Sequence, residues 1–188
     1  MNWRTVGTFL ALGVVFAPAA HAGWYVAFFA GLNDVDDTTI ATDLGTLDTS
    51  YDSGVAWSIG GGYEFKRFRL EGEILSEREN DVDVHRLDGV ELQGSVGTLV
   101  NDVGIANILY DFRREARVSP YVGVGVGLAE VTLSDYGFDG LPETFAEDNV
   151  LAYQAIVGLG IELSPHWALQ FDARFFETED AELDFAGA

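Results

Sequence analysis

The side chains best suited by type to do chemistry in this 188-residue chain are carboxylates that stand close to arginines. Glu71 and Glu73 are two residues apart behind Arg69, and Asp172 and Arg174 repeat the pairing far along the chain. Two carboxyl groups held at a fixed separation can divide the acid and base roles of glycoside hydrolysis. In a strand, however, residues i and i+2 share a face. The same residues then read as a packed network of opposite charges, tolerated inside a protein only because the charges pair. The mixture of signs on one face favours the network. His85, among Asp81, Asp83 and Asp88, has the donor types of a loop metal site, but an acidic solvated loop has the same composition. Beyond residue 22 the only other histidine is His166, and no Ser-His-Asp arrangement is advertised. The Gly-x-Gly-x-Gly run at 123–127 has neither a following helix nor a closing Lys-Ser/Thr, so it is no phosphate loop. The absence of cysteine removes thiolate metal sites, thiol nucleophiles and disulfides together. The sequence therefore nominates no catalytic residue, no cofactor-binding residue and no metal ligand. The expectation is a protein that is not an enzyme and uses no cofactor.

The elements that carry these side chains are runs of about ten to fourteen residues rich in Val, Ile, Phe, Tyr and Trp, which is strand composition. Seven such strands are predicted, near 24–33, 54–66, 68–78, 101–113, 118–133, 150–163 and 166–177. Alternation is clearest in the last three. Val122, Val124, Val126 and Leu128 oppose Gly123, Gly125, Gly127 and Ala129; Leu151, Tyr153, Ala155, Val157 and Leu159 oppose Gln154, Gly158 and Gly160; Trp167, Leu169, Phe171, Ala173 and Phe175 oppose Gln170, Asp172 and Arg174. The polar faces together hold Glu64, Arg69, Glu71, Glu73, Asn107, Asp111, Gln154, Glu162, Gln170, Asp172 and Arg174. Twenty-two glycines and 13% aromatic residues fit a tightly curved β-structure. A soluble barrel would turn the apolar faces inward and a membrane barrel would turn them to lipid; periodicity alone does not choose.

Residues 1–22 read as an export signal: Arg4 in a short n-region, an apolar run from Val6 to Ala17, Pro18, then Ala20-His21-Ala22. Cleavage there makes Gly23 the new start and leaves 23–188 as a single barrel domain, a usual size for one core. The competing reading of the first stretch is a membrane-anchor helix.

Connections and charge favour the membrane. Links alternate between long ones at about 34–53, 79–100 and 134–149 and short ones at Lys66-Arg67, Arg113–Arg117 and Ser164–His166, the asymmetry of barrels with long external loops and short internal turns. Twenty-two of the thirty-one acids fall in the long links, at Asp102 just beyond the second of them, or in the tail after residue 176, whereas Lys66, Arg67, Arg69, Arg113, Arg114 and Arg117 lie in or beside the short turns. Solvation explains acidic loops but not basic turns. A net charge of −21 repels phosphate backbones, so nucleic acid is not an expected partner.

Asn107-Ile-Leu-Tyr-Asp-Phe112, then Ser119-Pro-Tyr-Val-Gly-Val-Gly-Val-Gly127 beyond a basic turn, resembles the central hairpin of OmpA-like, opacity-type outer-membrane barrels. Gly23-Trp-Tyr-Val26 and Gly60-Gly-Gly-Tyr-Glu-Phe65 are similar to that family as well. The resemblance covers about residues 23–177. It implies an all-β, antiparallel, up-and-down transmembrane barrel of eight strands, with a structural, adhesive or surface-interaction role and no catalytic residues to transfer. Relatives end in a closing strand with a terminal aromatic residue, whereas this chain ends Phe-Ala-Gly-Ala, so the pattern reads as seven strands with the eighth missing. The expected partners are outer-membrane lipids and lipopolysaccharide, with divalent cations or extracellular ligands at the acidic loops. Two further readings stay open: a lipid A-modifying barrel enzyme using His85, and a soluble periplasmic lipocalin-like carrier.

Overall fold

A computed structural model describes the backbone of residues 2–3, 6–17, 23–36, 38–42, 45–51, 53–91, 96–113, 116–137, 144–179 and 181–182, and the side chains of 6–17, 23–36, 50, 53–75, 88–90, 102–113, 116–130 and 149–179. Eight long strands form the wall: β1 (Val6–Phe16), β2 (Trp24–Val35), β3 (Gly54–Phe65), β4 (Phe68–Leu87), β5 (Val96–Asp111), β6 (Val118–Gly137), β7 (Thr144–Ser164) and β8 (Trp167–Thr178). Each pairs antiparallel with its neighbour in the chain, and β1 closes on β8 from Phe16↔Trp167 to Val6↔Glu177. The result is a closed up-and-down barrel with no free edge in its wall, the arrangement that satisfies every ladder group where water is absent.

The expected count of seven strands is thereby corrected to eight. The additional strand is the apolar segment from Val6 onward that reads as an export signal. Its residues are apolar on both faces, so no alternation marked them as a strand, yet an extended chain bonded on both sides needs only apolar side chains outside and small or apolar ones inside.

The three long connections are also corrected, since they are largely β-structure. The β4–β5 ladder continues to Asp81↔Thr98 and the β6–β7 ladder to Tyr136↔Thr144, while Thr38–Thr42 pairs with Gly45–Tyr51 between β2 and β3. Antiparallel hairpins grow past a bilayer for as long as β-forming residues continue in register, and Val82, Val84, Leu99, Val100 and Leu133 supply them. At the other end the links are tight. Lys66-Arg67 joins β3 to β4 with Lys66 in the left-handed region at φ 56°, and Pro165-His166 joins β7 to β8.

The wall is apolar outside. Leu128 is 61% exposed, Ile74 65% and Val124 59%, whereas Arg174, Glu73 and Asp172 on the other face are at most 5% exposed. A contiguous greasy exterior around a polar interior fits lipid as solvent. This inverts the arrangement a soluble lipocalin-like carrier requires, and that reading falls. Aromatic side chains gather near the short turns: Phe16–Trp167, Trp24–Tyr63, Phe68–Tyr110 and Tyr110–Phe112 have ring centroids 4.7–5.2 Å apart. They form a girdle of the kind that marks a membrane interface. Lys66, Arg67, Arg113 and Arg117 lie exposed beyond that girdle, and Asp34, Asp36, Asp88, Asp102, Glu130 and Glu179 are exposed toward the opposite end.

Candidate functional site

Alternation sends the polar residues of β3 to β8 into the lumen, and there they meet. On β8, Arg174 reaches across the barrel to Glu73 of β4, Nη1 to Oε1 at 2.5 Å. It also engages its strand neighbour Asp172 through Nη2 at 2.7 Å and Nε at 3.1 Å. The guanidinium lies 4.3 Å from the Phe29 ring centroid and 5.7 Å from that of Phe9. Nearer the short turns, Arg69 makes a two-pronged bond to Asp111, Nε to Oδ2 at 3.0 Å and Nη2 to Oδ1 at 3.1 Å, with its guanidinium 4.4 Å from the Tyr121 ring centroid. Asn107 bridges Glu71 and Glu73 of β4, its amide donating to Glu73 at 3.1 Å and Glu71 at 3.5 Å, and it accepts from Gln154 at 2.6 Å.

Two tyrosines and a serine complete the network. Tyr25 on β2 donates its hydroxyl to Glu71 at 2.8 Å, Tyr121 on β6 donates to Asp172, and Ser58 on β3 donates to Glu73. The tyrosines occupy matching situations. Tyr25 is the cross-strand partner of Gly62, and Tyr121 of Gly158. A Cβ on either glycine would stand 2.5 Å from the tyrosine ring. Each glycine is thus the floor on which an aromatic ring lies flat across the lumen, the arrangement by which aromatic residues cover glycines in sheets.

Of the eleven residues placed on inward faces by sequence, nine are buried and take part in this set: Arg69, Glu71, Glu73, Asn107, Asp111, Gln154, Gln170, Asp172 and Arg174. The other two lie at the short-turn end, where Glu64 is half-buried and Glu162 exposed. Glu71 and Glu73 do not face each other across a substrate gap; each is engaged by tyrosine, serine, amide or guanidinium donors. Tyr25, Tyr121 and Ser58 were missed. Their signal was available, because Tyr25 shares the alternating face of Ala27 and Phe29, and Tyr121 that of the inward glycines.

Toward the short turns a cavity of about 90 Å³ is bounded by Val15, Glu64, Arg69, Asp111, Ser119 and Gln170, room for about three waters at ~30 Å³ each. Among the described residues, no group of three or more His, Asp or Glu side chains is arranged to hold a metal ion. The His85 side chain lies outside the described residues. His166 sits at the β7–β8 turn, where its Nδ1 is 3.0 Å from the carbonyl oxygen of Ala17.

The family model for the outer membrane protein beta-barrel domain matches residues 7–187. The chain belongs to that family. As a member of the outer membrane protein beta-barrel family, it carries the fold that its closed ladder and inverted polarity describe, and the family places it in the outer membrane. Similar solved structures include Neisserial surface protein A, at 12% identity and TM-score 0.43, covering 94% of this chain and 96% of that one. The attachment invasion locus protein Ail of Yersinia pestis, in complex with the heparin analogue sucrose octasulfate, is similar at 12% identity and TM-score 0.39, covering 93% and 97%. No curated protein sequence matches significantly.

Proposed function

We propose that this outer-membrane barrel is a non-enzymatic surface protein whose working parts are its acidic extracellular ends. The observation that carries this reading is the self-sufficiency of the interior: the carboxylates, guanidiniums and amides that could do chemistry are engaged by one another. Asp34, Asp36 and Glu130 are exposed at the end away from the short turns. Carboxylates gathered at one end of the barrel suit divalent cations, which prefer oxygen ligands and can bridge to anionic lipopolysaccharide around the wall. A net charge of −21 disfavours nucleic acid and other polyanions unless such cations intervene. Export to the outer membrane uses the N-terminal segment as its targeting signal, for which Arg4, the apolar run and Ala20-His21-Ala22 are the support.

The test is calorimetric titration of the refolded protein with calcium and magnesium, beside a variant whose long connections are scrambled to neutral residues. Heat above that control supports the cation-bridged reading, and equal heats sink it. Lipid A extracted from cells with and without the protein should have the same mass spectrum; loss or gain of an acyl chain would establish an enzyme instead.

A further inference from the structure

The basic residues of the short turns are not spread evenly around the rim. Lys66, Arg67, Arg113, Arg114 and Arg117 belong to the β3–β4 and β5–β6 turns, where Glu115 is the one acid, whereas the β7–β8 turn, Ser164-Pro165-His166, holds no lysine or arginine. Because β4 pairs with β5, these two turns are neighbours, about 10 Å apart at two strand spacings. We infer that this basic arc is a binding surface for the phosphate headgroups of anionic phospholipids in the periplasmic leaflet, the side on which the short turns of outer-membrane barrels lie. The inference rests on the membrane-barrel reading and concerns the end opposite the acidic one.

Two contacts hold the first turn's cations against the outer wall, at headgroup level, rather than in the lumen. The Lys66 ammonium lies 5.1 Å from the centroid of the Phe65 ring, which is itself exposed on the lipid-facing wall. Arg67 donates from Nη1 to the Tyr110 hydroxyl at 3.3 Å, and its carbonyl accepts from the Asp111 amide at 2.8 Å, tying the first turn to the strand that leads into the second. Beside them Phe68, Tyr110 and Phe112 pack edge to face with ring centroids 5.2 Å apart, and Leu70 and Val118 are exposed. Cations seated over an aromatic and aliphatic wall match an amphiphile whose anionic head meets ammonium or guanidinium while its acyl chains lie along the rings. Arg113 and Arg117 are exposed on the adjoining turn, and a guanidinium can fork onto two phosphate oxygens. Among the described residues, the acids at this end are Glu162, exposed, whose amide bonds the Arg117 carbonyl; Glu64, half-buried; and Asp111, engaged by Arg69. They leave the arc positive in a chain whose net charge is −21, so an anionic headgroup is drawn here and repelled from the acidic end. A soluble polyanion approaching along the barrel axis would find Lys66 and Arg67 folded aside onto the wall.

Native mass spectrometry of the refolded full chain in detergent, with dioleoyl phosphatidylglycerol or dioleoyl phosphatidylcholine added, reads the arc directly. Each basic side chain at an anionic headgroup is worth about fivefold, so the phosphatidylglycerol adduct should form at a concentration roughly tenfold lower or less. Lys66→Asn with Arg67→Gln removes both charges of the first turn, and asparagine accepts the φ of 56° at position 66, so the heat-modifiable barrel should persist on gels. In that variant the preference should fall about tenfold, and Arg113→Gln with Arg117→Gln should lower it likewise. Lys66→Arg with Arg67→Lys keeps the charge and should keep the preference. Equal adducts of the two lipids, or a preference that neither neutralised pair moves, overturns the arc and leaves the function of the acidic end standing. Binding of the parent to purified peptidoglycan sacculi, lost in Lys66→Asn with Arg67→Gln and accompanied by no lipid preference, assigns the cations to a cell-wall polyanion and overturns the arc as well. A chain that takes up no lipid and stays in solution without detergent overturns the membrane barrel together with the arc.

Discussion

Replacing Arg174 by Met tests whether the lumenal network supports the fold. The Arg174 side chain is 1% exposed, and its guanidinium serves two carboxylates at once, Glu73 at 2.5 Å and Asp172 at 2.7 Å. Methionine fills much of the same volume but leaves both carboxylates inside the barrel without their cation, because Arg69, the other lumenal arginine among the described residues, is held by Asp111. Removing one partner of a buried pair costs about 3–5 kcal/mol. Since one guanidinium answers two acids here, the expected loss for Arg174→Met lies in the upper part of that range. Arg174→Lys should lose less, for an ammonium can satisfy one carboxylate but cannot fork between two. The triple variant Arg174→Met, Glu73→Gln, Asp172→Asn removes the charges together and should recover most of the loss, because replacing a whole buried ion network is often close to neutral. The assay is urea unfolding in phospholipid vesicles, followed through tryptophan fluorescence. A loss below about 1 kcal/mol for the single variant, or a triple variant no more stable than it, would refute the argument that these charges are buried and mutually dependent.

Four further outcomes follow from the same geometry. Gly158→Ala places a methyl 2.5 Å from the Tyr121 ring and 2.6 Å from Asp172 and should cost about 1–3 kcal/mol of unfolding free energy. Gly160→Ala, whose nearest contact is 3.6 Å, should change the same measurement by under about 0.5 kcal/mol. Val124→Arg, on the lipid face of β6, should destabilise the protein in bilayers by about 2–4 kcal/mol, the cost of a cation near the midplane, and little change would show that the face does not meet lipid. In planar bilayers the protein should carry no steady ion current, since charged side chains fill its lumen; a stable open step would contradict the filled interior.

The inward and outward faces of β6, β7 and β8 were legible from period-two alternation, because a membrane wall needs apolar residues at alternate positions and the lumen accepts glycine, Gln154, Asp172 and Arg174. The charged network followed from the same faces. Its individual pairings did not: Arg69 chooses Asp111 and Arg174 chooses Glu73 through barrel register, which one-dimensional spacing cannot supply. Strand β1 was invisible as a strand, since a segment apolar on both faces shows no period. Part of the second long connection could have been recognised. Asp88-Gly89, with φ of 48° and 80°, turns Leu87 back onto Val90, and Asp-Gly between β-forming residues is a strong hairpin signal.

The central claim is a closed barrel with its apolar face in lipid and its charges inside, and consecutive residues of β7 test it most directly. Ile156 is 4% exposed toward the lumen and Val157 57% exposed on the wall. Nuclear Overhauser contacts between side-chain methyl groups and lipid acyl chains, measured on the protein in nanodiscs, should be strong for Val157 and Leu159 and absent for Ile156. Lipid contacts at Ile156, with none at Val157, would contradict the account.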